Sequence, residues 1–260
     1  MHDRLTRSRE TSQPAARFGR ISGMIETAEN LARDYGISRQ EADRYALGSQ
    51  QRATAARERG AFADEIVALT VASRRRPPVQ FVADEEIRPN TTLESLGMLK
   101  PILPGGTVTA GNASQQNDAA AACLVVGEDK LSELGLEPIA YFKGWALAGC
   151  ELSRMEIGPV PAVAKLMAKM RLSLDDMDPV GLNEAFACQV LAVLKGWGWH
   201  DESRLNVNGS GISLGHPIGA TGMRIMTTML RELERRGGKY ALESMCIGGG
   251  QGIAALFERP

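Results

Sequence analysis

Long apolar runs are missing from this chain. Nowhere do its 260 residues approach the ~18–20 consecutive apolar residues of a membrane-spanning helix. Met1-His2-Asp3-Arg4 has none of the apolar core of a secretory signal. Excess charge is missing too. Lys and Arg number 30 against 31 Asp and Glu, a net charge of −1. That argues against a nucleic-acid surface or an electrostatic membrane anchor, so neither partner is expected. The run Arg74-Arg75-Arg76 reads as a solvated loop. Cysteine is scarce: four widely spaced residues with no CxxC make no disulfide framework, and the cytoplasm, a reducing compartment, is the default. Histidine is scarcer. His2, His200 and His216 have no metal-ligand spacing, so no metal is expected. Neither G-x-x-x-x-G-K-[ST] nor a dinucleotide fingerprint is present, and there is no internal repeat or low-complexity tract. What remains is ordinary for a globular protein: 43% hydrophobic and 23% charged residues, in a chain long enough for a real core.

Residues 1 to about 20 read as irregular. Glu26 to Tyr35 reads as a short helix. Ser38-Arg39-Gln40-Glu41 is a capping box that opens a second helix with the small stripe Ala42, Tyr45, Ala46, Ala53 and Ala56. Gly60 is its expected stop. Ile66 to Val71 is a candidate strand, and 74–106 a Pro-rich excursion outside the core, of the kind that often carries function. The pattern then predicts a helix over Asn117 to Leu134, a strand over Ile139 to Leu147, a helix over 159–170 and a short strand over Met177 to Leu182. After these come a helix over Ala185 to Trp197, a strand over Leu205 to Val207, an amphipathic helix over Gly219 to Arg236, and strands at Tyr240 to Cys246 and Ile253 to Phe257. The amphipathic helix has Met223, Met226, Met229, Leu230 and Leu233 on one face. Alternating strands and helices indicate a layered α/β architecture.

Three late segments carry candidate chemistry. His216 lies among four glycines, Gly209, Gly211, Gly215 and Gly219, and precedes Pro217, which is placed to open the next helix. A His here is either satisfied within its loop, the usual case for a lone His, or set where helix amides point at a ligand; the glycine density weakens the preference for the first reading. Cys246 ends an apolar strand and precedes three glycines. It is either a buried structural Cys or a thiol at a strand end whose neighbouring amides bind an oxyanion. Asn183, at a strand-to-helix junction, either caps the helix or holds a water or a carbonyl oxygen, and Glu184 suits the first helical turn. Cys123 and Cys188 read as buried residues of Ala-rich helices. Cys150 has no evident place.

These segments resemble the thiolase family (acetyl-CoA acetyltransferases and 3-ketoacyl-CoA thiolases). The motifs are Asn183-Glu184-Ala185-Phe186, Gly215-His216-Pro217 with Gly219 and Gly222, and Cys246 to Gly252. Upstream, Thr27-Ala28-Glu29-Asn30, Ile37-Ser38-Arg39 with Ser49-Gln50, and Thr107 to Ser114 with Asn117-Asp118 extend the resemblance over nearly the whole chain. It implies a thiolase-like layered αβαβα fold, incomplete at the N-terminus. Residues 1–113 would form the loop domain on the CoA side, 114–135 the rest of an N-terminal core domain, and 136–260 the C-terminal domain.

The resemblance also implies an acyltransferase that makes or breaks a carbon–carbon bond beside a CoA thioester, with CoA as substrate or product and no other cofactor. His216 would be the oxyanion and activating His, Asn183 the water holder, and Cys246 the acid/base Cys. The amide of Gly248 would complete a second oxyanion hole. Met24, Arg88, Ser95, Ser114 and Phe186 would contact CoA and its pantetheine arm. Gly23 stands where many members have a CoA-contacting His. The family's nucleophilic Cys belongs to a segment ahead of the loop domain, and Cys123 does not match its motif. The chain alone is therefore expected to be inactive, and to act as a homo-oligomer or with a partner that supplies the N-terminal part. Its uncovered apolar faces should favour association. The alternatives are a non-catalytic CoA-binding remnant or a subunit of a split thiolase, and, on the bare residues, a different enzyme with Cys246 as nucleophile and His216 as base.

Overall fold

The computed structural model describes Ala16 and residues 23–72, 77–199 and 201–260. The expected irregular N-terminus, the arginine run, His2 and His200 lie outside them. A four-stranded sheet in the order β3-β6-β5-β4 organises the C-terminal half. β3 (Tyr141–Gly149), β6 (Gln251–Glu258) and β5 (Tyr240–Ile247) pair antiparallel, and β4 (Val180–Leu182) pairs parallel with β5. The β5–β6 hairpin turns through Gly249 at φ 94° and Gly250 at φ 82°, a region open to glycine without strain. A parallel pair needs a long crossover, and the chain between β4 and β5 supplies it. It contains α6 (Ala187–Trp197), α7 (Gly211–Leu214) and α8 (Thr221–Arg236).

Side-chain alternation divides the sheet into two faces. Leu242, Leu256, Ala254 and Ala146 share a core with α5 (Pro159–Met170), α6 and Tyr45 of α2 (Arg39–Glu58). Ala241 and Phe257, on the other face, pack against Met229, Leu230 and Leu233 of α8. Edge strand β3 leaves Phe142, Trp145 and Leu147 exposed, apolar surface of the kind expected above. α1 (Met24–Asp34) joins α6 through a separate cluster of Ala28, Leu31, Cys188 and Ala192.

The Ser38–Glu41 capping box forms as read: the Ser38 amide donates to Glu41 Oε2 at 2.7 Å and the Glu41 amide to Ser38 Oγ at 3.2 Å. Ala42, Ala46, Ala53 and Ala56 are fully buried, so the small stripe does allow close packing. The excursion over 74–106 includes β2 (Val79–Phe81), which pairs with β1 (Leu69–Val71), and α3 (Leu93–Gly97). Mostly exposed, it still plugs Ile87 and Leu96 into the core. Arg39 clamps it by donating to the carbonyls of Leu96 at 2.7 Å and Leu99 at 2.9 Å.

Three elements differ from expectation. The Ala-rich run is not a helix over 117–134; only Leu131–Leu134 (α4) is α-helical, after a 3₁₀ turn at Glu128–Lys130. A helix that short persists only where tertiary packing supports it, and Leu124 and Val125 are 75% and 85% exposed. Cys123 is accordingly exposed, whereas Cys188 is buried as read. The strand at Leu205–Val207 reduces to one bridge between Leu205 and Val180, because Asn206 turns the backbone to φ 44°. Pro217 does not open the long helix: Ala220 donates to the Pro217 carbonyl in a turn, and α8 begins at Thr221.

Candidate active site

Asn183 and Glu184 leave β4 at the sheet's end. The Asn183 amide donates to the Ser244 carbonyl at 3.2 Å, extending the β4–β5 ladder by one residue. Asn183 is not the cap of α6. That part belongs to Gln189, whose Oε1 accepts from the Ala185 amide at 3.1 Å. The Asn183 side chain is thereby free for His216: its Nδ2 lies 3.5 Å from His216 Nε2. Its Oδ1 is buried with no hydrogen-bond partner among the described residues, and such an atom in a native interior calls for an explanation.

Glu184 is not in a first helical turn either. It is fully buried ahead of α6 and gathers four donors. Oε1 accepts from Tyr45 Oη at 2.8 Å and Asn206 Nδ2 at 3.2 Å. Oε2 accepts from Ser49 Oγ at 2.6 Å and the Ile212 amide at 3.3 Å. The Arg52 guanidinium stands 3.6 Å away. This carboxylate therefore ties α2, the β4 exit and α7 into one frame beneath Asn183.

His216 is set by its backbone and by its ring nitrogen Nδ1. Its amide donates to the Gln115 carbonyl at 2.9 Å and to Asn117 Oδ1 at 3.2 Å. Asn117 lies so close that a Cβ on Gly215 would meet its Oδ1 at 2.2 Å, and Gly215 adopts φ +89°. Glycine is required there twice over. His216 Nδ1 is 2.7 Å from Thr221 Oγ1. Burial pushes the imidazole below its ordinary pKa, and the charge of Arg224 adds to that, so the neutral ring is the resting form. An open cleft of about 670 Å³ lies between residues 116–121 and 216–220 and is lined by His216.

Cys246 sits at the end of β5, paired with Gly252. The close approach of backbone behind it excludes side chains: a Cβ on Gly252 would lie 2.1 Å from the Gly158 carbonyl. The hairpin is tied to β3 by the Cys150 amide, which donates to the Gly250 carbonyl at 2.7 Å; this is the place Cys150 lacked in the sequence. Burial pushes the Cys246 thiol well up, with Glu156 adding to the shift. It is thus held protonated, the form of a proton donor and not of a resting nucleophile. Gly248 opens onto space: among the described residues nothing lies within 4 Å of where a Cβ would stand.

The residues expected to touch substrate fall into two groups. Met24 packs on the cluster containing Ala113 and Phe186. Ser114 joins them through its amide, which donates to the Ala185 carbonyl at 2.8 Å. Arg88 lies elsewhere, exposed on the excursion, 3.7 Å from Glu86. Glu86 accepts from Asn117 at 3.2 Å, which links this loop to His216. The Ser95 hydroxyl is engaged within α3, where it donates to the Thr92 carbonyl at 2.8 Å. Sequence reasoning missed Thr221 and Arg224. A Thr five residues after the His, and one Arg among Met223, Ile225 and Met226, were the available signals.

A neutral His beside an Asn and a protonated Cys at the end of β5 thus stand on a layered α/β frame. Family profiles agree: "Thiolase, N-terminal domain" matches residues 16–129 and "Thiolase, C-terminal domain" residues 136–259. The chain belongs to the thiolase family. It is 50% identical over 235 residues to the acetyl-CoA acetyltransferase of Chromobacterium violaceum, covering 90% of this chain and 60% of that protein. To the beta-ketoadipyl-CoA thiolase of Acinetobacter baylyi it is 47% identical over 241 residues, covering 92% and 60%. The solved acetyl-CoA acetyltransferase of Bacillus anthracis superposes with a TM-score of 0.89 at 46% identity, covering 93% of this chain and 61% of that one. The chain thus spans about 60% of the length of these relatives.

Proposed function

We propose that this chain carries the oxyanion-binding and proton-transferring parts of a thiolase, acting on acyl-CoA or 3-ketoacyl-CoA thioesters by Claisen condensation or thiolysis. The observation that carries the reading is the approach of Asn183 Nδ2 to 3.5 Å from His216 Nε2, at an Asn whose buried Oδ1 has no hydrogen-bond partner among the described residues. Two preorganised nitrogens at one point suit charge that develops on a thioester oxygen. Cys246 would exchange a proton with the substrate carbon, and the Gly248 amide would serve the second oxyanion. Met24, Ser114 and Phe186 would line the pantetheine arm. Arg88 would meet phosphate or adenine, with Ser95 on the same excursion.

Residues 1–113 would act as the loop domain, 114–135 as a remainder of the N-terminal core and 136–260 as the C-terminal domain. CoA is substrate or product, and no further cofactor is proposed. The nucleophilic thiol would come from sequence beyond these 260 residues, on the same polypeptide or on a partner. Burial raises the Cys188 and Cys246 thiols, and Cys150 is raised too, so none of the three offers a ready thiolate. The exposed Phe142, Trp145 and Leu147 support an oligomer or a covering partner. Four unpaired cysteines suit the cytoplasm.

The test is acetoacetyl-CoA thiolysis by the pure chain, and by the chain mixed with the N-terminal part of the Bacillus anthracis relative. No turnover alone, and turnover on mixing that is lost in Cys246→Ala, is the expected result. Turnover by the pure chain would contradict the proposal.

A further inference from the structure

We infer that Thr221 is the positioning residue of His216: its hydroxyl donates to Nδ1 and thereby fixes the imidazole proton on Nε2. The inference deepens the oxyanion reading of His216 and rests on it for its functional meaning.

Thr221 is fully buried. Its Oγ1 lies 2.7 Å from Nδ1, the one hydrogen-bond contact of this hydroxyl among the described residues. A hydroxyl has one proton to place and lone pairs to spare, while a neutral imidazole has one nitrogen that donates and one that accepts. With the ring proton on Nδ1, Oγ1 accepts it, and the Thr221 proton is left buried without an acceptor. An orphaned buried donor is costly. With Nδ1 bare, the hydroxyl donates to it and that loss is avoided. The ring proton then belongs to Nε2, since the bond made at one nitrogen decides the state of the other.

That placement matters at the other end of the ring. Nε2 and Asn183 Nδ2, 3.5 Å apart, become two N–H donors close enough to converge on a single oxygen. The first turn of α8 adds a second restraint. Arg224, one turn beyond Thr221, donates to the Gly215 carbonyl at 3.5 Å. Its charge opposes a second proton on the ring. The segment from Gly215 to Arg224 thus holds His216 as a neutral donor.

Nitrogen NMR of the whole 260-residue chain, labelled with ¹⁵N-histidine, tests this directly. His216 is assigned by its loss in a His216→Gln variant. The expected spectrum shows a protonated Nε2 and a bare Nδ1. Thr221→Ser keeps the donor and should keep the spectrum. Thr221→Val keeps the shape without the donor, and should shift the ratio of the two neutral forms by roughly fivefold, the worth of one net hydrogen bond. A protonated Nδ1 in the parent chain would overturn the inference, as would an unchanged ratio in Thr221→Val. The spectra need no turnover. Failure of the oxyanion reading would show in the thiolysis assay, and failure of the Thr221 inference in the tautomer.

Discussion

Glu184→Gln is nearly isosteric, yet it should be among the most damaging changes available to this chain. Four donors meet the two carboxylate oxygens, and the substitution turns one oxygen into an NH₂. At the Oε1 position, Tyr45 can rotate its hydroxyl and accept instead. Asn206 cannot reverse, because its Oδ1 is held by the Leu182 amide at 2.9 Å and its Nδ2 donates to the Leu182 carbonyl at 2.8 Å. At the Oε2 position, Ser49 can turn toward Ser213 Oγ, 2.9 Å away, but the Ile212 donor is a backbone amide and stays. Either orientation of the new amide leaves one fixed donor facing another, a loss of about 1–3 kcal/mol. Arg52, 3.6 Å from Glu184, also loses its counter-charge, and breaking a buried pair costs about 3–5 kcal/mol in full. Arg52 retains some solvent contact, so about 3 kcal/mol in all is expected. In a chain of this size that is roughly 6–12 °C in Tm. Equilibrium urea unfolding followed by circular dichroism measures it. A variant within about 0.5 kcal/mol of the parent, the range of an ordinary surface change, would refute the idea that this carboxylate frames the site.

Gly252→Ala would drive a Cβ to 2.1 Å from the Gly158 carbonyl, a backbone group that cannot rotate away. A loss of about 3 kcal/mol is expected, read in the same unfolding experiment, and a neutral change would show that the contact relaxes freely. Glu243, buried on β5, titrates at about 8, raised by burial from 4.5 against the opposing charge of Arg224. Between pH 4.5 and 8 the folded chain therefore keeps a proton that the unfolded chain has lost. Stability is full below 4.5 and is lost as pH rises to 8, by an amount on the order of 5 kcal/mol. Glu243→Gln should flatten that fall, gaining on the parent chain between pH 5 and 8; parallel pH profiles would count against it. Asn183→Ala removes the Nδ2 donor from the pair with His216 and, in the chain mixed with the N-terminal part of a relative, should slow thiolysis by roughly 10²–10³. A change in KM with kcat intact would contradict an oxyanion role.

Much of the frame was legible because its signals are local. The capping box at Ser38, the small stripe of α2 and the apolar alternation of β5 and β6 each state their own partner or periodicity. The Ala-rich run over 117–134 was misread because helix propensity alone does not hold a helix without a surface to pack on. Leu205–Val207 failed as a strand at one residue, Asn206, whose left-handed turn no hydrophobic pattern reveals. At the site, His216, Asn183 and Cys246 stood out by their glycine-rich or turn contexts. What the sequence hid was the wiring. Glu184 collects donors from Tyr45, Ser49, Asn206 and Ile212, positions separated by up to 167 residues of chain, and such convergence exists only once the layers are packed. Thr221 was invisible for the same reason: its meaning depends on the path of the Pro217–Ala220 turn, not on composition.

Intact-mass analysis of the pure chain after incubation with acetyl-CoA tests the central claim most directly. The account predicts an unmodified mass, because burial holds the Cys246 thiol protonated and the proposal gives it the part of a proton donor, not of the acyl acceptor. A stoichiometric acetyl adduct mapped to Cys246 would contradict it, and would make that residue the nucleophile of an enzyme complete in itself.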